Sequence, residues 1–104
     1  MPSRIETINT LLEQDPNNSR FRYMLAMETI NAGDLDGAAK IFEELLESDP
    51  DYSAAYFHGG QTLEKLGRTV EAIAVYQRGV EATSRNGDSH TRSEIEGALG
   101  ELSG

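Results

Sequence analysis

Apolar positions along the chain fall at helical spacing, in blocks separated by Pro, Gly, Asn and Asp. Ile5, Ile8, Leu11 and Leu12 make one stripe from about Ser3 to Gln14, and Pro16 ends the run. Asn17, Asn18 or Ser19 can cap the next helix by accepting a free backbone N–H. That helix, from about Ser19 to Ala32, carries Phe21, Leu25, Ala26, Thr29 and Ile30 and stops at Gly33, where a left-handed cap costs little. Asp34 caps a third helix, about Leu35 to Ser48, with a buried stripe of Leu35, Ala38, Ile41, Phe42, Leu45 and Leu46. Tyr52 or Ser53 opens a fourth, which carries Tyr56, Phe57, Leu63 and Leu66 before the Gly67 stop. The fifth, about Thr69 to Thr83, buries Val70, Ala72, Ile73, Val75, Tyr76 and Val80, with Thr69 as N-cap because Arg68 replaces a capping Asp. Ser84-Arg85-Asn86-Gly87 reads as a turn-rich break. Asp88 or Ser89 then caps a last helix to about Leu102, with Ile95, Ala98, Leu99 and Leu102 on one face and Glu94, Glu96 and Glu101 on the other.

The blocks repeat at a step of 34 residues: Gly33 recurs as Gly67, Ala38 as Ala72, Ile41 as Val75 and Phe42 as Tyr76. Stepping back by the same interval, Asp49-Pro50 is echoed by Asp15-Pro16, Leu45 by Leu11, Leu46 by Leu12 and Phe42 by Ile8. A fixed period of this size marks a stacked array whose units each bury one face on a neighbour. Two full units alone leave much apolar surface wet, so the first and last helices must be structural. Gly59, Gly60 and Gly79 lie inside helices, where glycine costs about 1 kcal/mol against alanine; with Ala38 they predict tight helix contact rather than flexibility.

On these residues the chain resembles the tetratricopeptide repeat (TPR) family, whose unit is a 34-residue helix–turn–helix. In the second unit Tyr56 matches the opening aromatic, Gly60 the small packing residue, Gly67 the turn glycine, and Ala72 and Tyr76 the small and aromatic second-helix positions. In the first unit Leu25, Ala26, Gly33, Ala38, Phe42 and Pro50 match. Arg22, Thr29, Gly59 and Ser84 depart from the usual aromatic, larger residue, leucine and closing proline, which predicts a looser first helix and an altered exit from the second unit. The resemblance implies an all-α, antiparallel helix–turn–helix array of about six helices. As one domain over 1–104 it divides into a leading half-repeat helix (3–14), repeats at 15–50 and 51–84, and a C-terminal cap (88–102).

The resemblance also implies a non-catalytic scaffold that holds a peptide or helix of a protein partner in a groove lined by the first helix of each unit. Carried over residue by residue, that surface comprises Arg20, Tyr23, Met24, Met27 and Ile30 beside Phe57, His58, Gln61, Glu64 and Lys65. Tyr23, Met27 and Phe57 are the expected anchors, since aromatic and methionine side chains favour binding surfaces; the competing expectation is ordinary core packing. One family subtype grips a C-terminal carboxylate of heat-shock chaperones with Lys, Arg and Asn. Arg20 could supply one cation, but Met24 and His58 stand where asparagines are needed and Ala54 offers nothing, which argues against that role.

Charge and composition narrow the partners. Eighteen acidic against nine basic residues give a net charge of -9, which repels phosphate backbones and anionic lipid, so neither nucleic acid nor membrane is expected. There is no run of about 18 apolar residues, and Met1-Pro2-Ser3-Arg4 leads into an amphipathic segment, giving a soluble, cytoplasmic expectation. The chain has no cysteine, hence no disulfide and no thiol chemistry. His58 and His90 lack the paired spacing of a zinc site, and no cofactor is expected. Asp34-Leu35-Asp36-Gly37 lacks the remaining ligands of a calcium loop and reads as a helix cap. Glu43, Glu44, Glu47, Asp49 and Asp51 read as a solvated surface. Two rivals remain: a homo-oligomer formed through the first helix, and catalysis by His58 with Glu64 or Glu28, which no nucleophile or phosphate-binding loop accompanies.

Overall fold

The computed structural model describes residues 2–103, so Met1 and Gly104 at the ends of the expected domain lie outside the described residues. Six helices follow one another: α1 (Arg4–Gln14), α2 (Ser19–Asn31), α3 (Leu35–Ser48), α4 (Ser53–Lys65), α5 (Thr69–Asn86) and α6 (Ser89–Ser103). No strand occurs among the described residues. The chain forms an elongated body of 46 × 29 × 19 Å in which each helix packs on the next, and α4 also touches α6. No described helix is long and apolar enough to cross a membrane.

The helix starts are set by side chains that accept otherwise unpaired backbone N–H groups. Ser3 accepts from Glu6 N at 3.2 Å, Asn18 from Phe21 N at 3.0 Å, Asp34 from Gly37 N at 2.9 Å and Asp88 from Thr91 N at 3.1 Å. Asp34 thus works as the cap of α3. The stops at Gly33, Gly67 and Gly87 have φ of +86°, +76° and +79°, a region that a side chain disfavours.

Phe42, Leu45, Tyr56, Leu63, Tyr76 and Ile95 form the centre of the core. The glycines inside helices mark where neighbours come closest. A Cβ on Gly60 would overlap the Tyr76 ring, one on Gly79 would lie 2.7 Å from Tyr56 Cβ and 2.8 Å from Ile95 Cδ1, and one on Gly59 would lie 3.3 Å from Phe42 Cβ. Close contact is therefore what these glycines permit.

Three sequence expectations fail around α5. Thr69 is not its cap: Arg68 holds the N-cap position without a side-chain hydrogen bond to the helix, and its guanidinium instead pairs with Glu71 at 2.5 Å. Val70 is 83% exposed rather than buried, because the first turn of α5 has no neighbour over that flank among the described residues. Ser84, Arg85 and Asn86 are helical, not a turn. With Ser84 in place of a helix-ending proline the helix runs on, and Arg85 and Asn86 bond Asp51 at 2.7 and 3.2 Å, tying the extra turn to the α3–α4 loop.

The expectation of a looser α2 rested on Arg22 and Thr29; Thr29 bonds back to the Leu25 carbonyl at 2.7 Å, and Arg22 has a specific task. Its Nη2 donates to the Pro16 carbonyl at 2.9 Å, just as Tyr56 Oη donates to the Pro50 carbonyl at 2.6 Å one period later. A cation has taken over the tie that the phenol makes.

These contacts predict opposite outcomes for two Gly→Ala substitutions measured by urea denaturation. Gly60→Ala forces its methyl into the Tyr76 ring and should lose about 1–3 kcal/mol. Gly100→Ala meets open space on α6 and should gain about 0.5–1 kcal/mol.

Candidate functional site

Seven of the ten side chains expected to form one continuous groove are distributed by the helices over two clefts, and Arg20, Ile30 and His58 line neither. Tyr23, Met24 and Met27 of α2 face Ile8 and Leu11 of α1 across a cleft of about 410 Å³. Its rim is an ion pair, Arg4 Nη1 to Glu28 Oε1 at 3.0 Å. Phe57, Gln61, Glu64 and Lys65 of α4 line a second cleft of about 480 Å³, closed on its other side by α6. The two are connected by rings: Tyr23 lies 5.9 Å from His58, and His58 meets Phe57 edge-on at 5.3 Å.

None of the expected anchors is a free surface side chain. Tyr23, Met27 and Phe57 are half-buried and pack against the core, as does Ile30, while Met24 is 37% exposed. The Tyr23 ring packs in a tilted arrangement against Tyr52 at 5.3 Å and Phe42 at 6.3 Å. Tyr52 is thus a part of this face that sequence reasoning treated only as a helix start. Arg20 is exposed, and its charge acts on the Tyr52 phenol, partly offsetting the upward push of burial and of Asp49 on that group. Both core packing and partial exposure hold for the same side chains.

The far wall of the second cleft was not anticipated. Glu94, Ala98 and Glu101 of α6 face the α4 side chains, so the helix read as a polar cap is also a groove wall. A usable signal was present in the sequence. Phe57, Gln61 and Glu64 on α4 and, on α6, Glu94, Ala98 and Glu101, each set spaced by four and then three residues, form a single helical stripe on their own helix.

Hydrogen bonds fix the carboxylates that could have served His58. Glu64 accepts from the hydroxyl of buried Tyr76, and Glu28 is engaged by Arg4. Burial, reinforced by the Glu64 hydrogen bond and by the charges of Glu64 and Glu101, pushes the Tyr76 phenol far above its ordinary range, so it remains a donor at neutral pH. His58 is shifted the other way: burial lowers it, Lys65 adds to the effect, and Gln61 and Glu94 oppose it. Among the described residues no group of three or more His, Asp or Glu side chains could hold a metal ion. A further cleft of about 550 Å³ lies between α3 and α5 over Gly59 and Leu63, with Lys40 and Arg78 set against Asp36 and Glu43.

The family model for the tetratricopeptide repeat matches residues 23–87, more than half of the chain. The chain belongs to the tetratricopeptide repeat family. A TPR repeat-containing protein of Pseudomonas aeruginosa is 26% identical over 91 residues, which cover 88% of this chain and 87% of that protein. The solved tetratricopeptide repeat domain protein of Salinibacter ruber is 37% identical with a TM-score of 0.80, over 84% of this chain and 88% of its own. The translocator chaperone SycD of type III secretion in Yersinia enterocolitica superposes with a TM-score of 0.86 over 95% of this chain and 69% of its own; at 18% identity the likeness is one of fold. The all-α TPR array expected from the sequence is the observed fold.

The environment of His58 generates a pH prediction. Its folded pKa lies below the free value of 6.5, so the unfolded chain binds the proton more tightly. The histidine leaves stability unchanged above that pH and subtracts from it as pH falls through the unfolded pKa towards the folded one. An NMR titration of the His58 ring should give a midpoint below 6.5, and the corresponding loss of stability should be missing in His58→Gln.

Proposed function

We propose that this chain is a non-catalytic protein-interaction module that holds a peptide or helical segment of a partner protein against the face formed by α2, α4 and α6. The units at 15–50 and 51–84 contribute α2 and α4, the segment 88–102 contributes α6, and 3–14 flanks the α2 side. TPR repeats generally mediate protein–protein interaction, which sets the class of function. The observation that carries the reading is the retention of large apolar side chains at partly exposed positions in the two clefts, Met24 in one and Phe57 in the other. Such side chains are the usual anchors of an interface, the ring of Phe57 by its large apolar area and the thioether of Met24 by adapting to irregular surfaces.

The nearby chemistry supports binding better than turnover. His58 is flanked by rings, and the two carboxylates considered as its partners are engaged elsewhere.

A photo-cross-linking residue placed at Met24 or Gln61 should yield covalent adducts with partner protein. The same residue at exposed Val70 or Glu44 should yield none. Met24→Lys/Phe57→Ser should weaken binding by about tenfold or more for each anchor lost while the helical circular dichroism is unchanged. Adducts that come only from Val70 or Glu44 would place the interaction on other helices and overturn the proposal.

A further inference from the structure

The cleft between α4 and α6 has an uneven charge. Glu64, Glu94 and Glu101 stand on its walls and Lys65 is the single cation among its lining residues, while Phe57 and Ala98 give it an apolar floor. The α6 wall is open at Gly97, where an added Cβ would meet nothing within 4 Å. Glu64 is aimed by the Tyr76 hydroxyl, and the Tyr76 ring is fully buried, so this carboxylate is held in place. The fields of the other two converge on the same region: Glu101 acts on the Tyr76 phenol and Glu94 on the His58 ring.

Like charges gathered over an apolar floor repel one another, and the repulsion is relieved when a cation enters. The three carboxylates do not approach closely enough to hold one small metal ion. Their spacing along two helices suits a segment with cationic groups on flexible stems. Lysine and arginine can lay their methylenes, or a guanidinium plane, on a ring such as Phe57 while the charge reaches the rim.

We infer that the α4–α6 cleft docks a cationic peptide segment of the partner protein, with a lysine or arginine stem on Phe57 and its charge among Glu64, Glu94 and Glu101. This rests on the interaction-module reading above and adds the chemistry of the partner. The charge balance over the whole chain, at -9, steers such a segment towards the protein, and the cleft decides where it stops.

The test is selection of random dodecapeptides displayed on phage against the immobilised full chain, followed by affinity measurements on the best synthetic peptide. Enrichment of Lys or Arg next to an apolar residue is expected, with binding that weakens as salt is raised. Glu64→Gln/Glu94→Gln/Glu101→Gln should lose about tenfold in affinity. The control Glu13→Gln/Glu44→Gln/Glu47→Gln, with the same change in net charge at exposed sites on α1 and α3, should change it by less than about twofold. Glutamine at 64 still offers Tyr76 an acceptor, and Glu94→Gln/Glu101→Gln leaves that hydrogen bond untouched, so lost binding can be separated from lost folding. Equal losses in the two triple variants, or selection of no binder at all, would overturn the inference. Neutral or acidic peptides that bind and are released by Phe57→Ser would overturn it too, while leaving the groove reading intact; indifference to both Phe57→Ser and Met24→Lys would remove that reading as well.

Discussion

Everything in this array depends on aromatic rings placed against backbone that carries no side chain. Tyr76 of α5 lies on Gly60 of α4, Tyr56 of α4 lies on Gly79 of α5, and Phe42 of α3 lies on Gly59 of α4. The helix carrying the ring and the helix carrying the glycine exchange roles between α4 and α5, so each holds the other at a fixed distance and rotation. Glycine inside a helix costs about 1 kcal/mol, and burying a large side chain returns about 1.5–3 kcal/mol, so the exchange favours the close arrangement. Ile95 reaches into the same contact from α6. The α4–α6 cleft therefore has its width set by the core beneath it.

A second constraint holds the loops at the period of the array. Tyr56 and Arg22 both donate to a proline carbonyl six residues back, at Pro50 and Pro16. The donor differs, but the reach and the acceptor are preserved, so the start of α2 and the start of α4 leave their loops in the same way. Where the period breaks, at the end of α5, Arg85 and Asn86 add new bonds to Asp51 across 34 and 35 residues. The exposed ion pair contributes little stability by itself. It ties the last turn of α5 to the α3–α4 loop, immediately before α6, which packs on both α4 and α5.

The features that were legible in the sequence are those written locally. The α3 boundaries follow from Asp34 and from the apolar stripe, and the tight contacts at Gly60 and Gly79 follow from the cost of placing glycine in a helix. The misreadings each have a physical cause. Val70 has the right residue type for a core, but its exposure depends on which helix lies over the first turn of α5, and a stripe carries no information on that. Ser84-Arg85-Asn86-Gly87 has turn composition, yet with Ser84 in place of a helix-ending proline nothing stops α5 before Gly87, which ends it in a left-handed cap. The α4–α6 cleft was legible on its α4 side, where Phe57 and Gln61 share a stripe with Glu64. Its α6 wall was legible only as the stripe Glu94, Ala98 and Glu101, because on a terminal helix such a stripe looks the same in sequence whether it faces water or faces α4.

Tyr76 shows how the core and the candidate site come to share a residue. Its ring makes glycine necessary at position 60, and its hydroxyl, at the far end of the same rigid side chain, emerges beside the cleft and donates to Glu64. A buried hydroxyl needs an acceptor, since leaving it unpaired costs about 1–3 kcal/mol. Folding alone would be served by any acceptor, including a backbone carbonyl of the kind Tyr56 uses. Using a carboxylate on the groove face orients a charged side chain at no further cost in the core, because the ring that fixes it was already required by the packing. The repeat position that builds the array is thus also the one that aims the first of the three carboxylates.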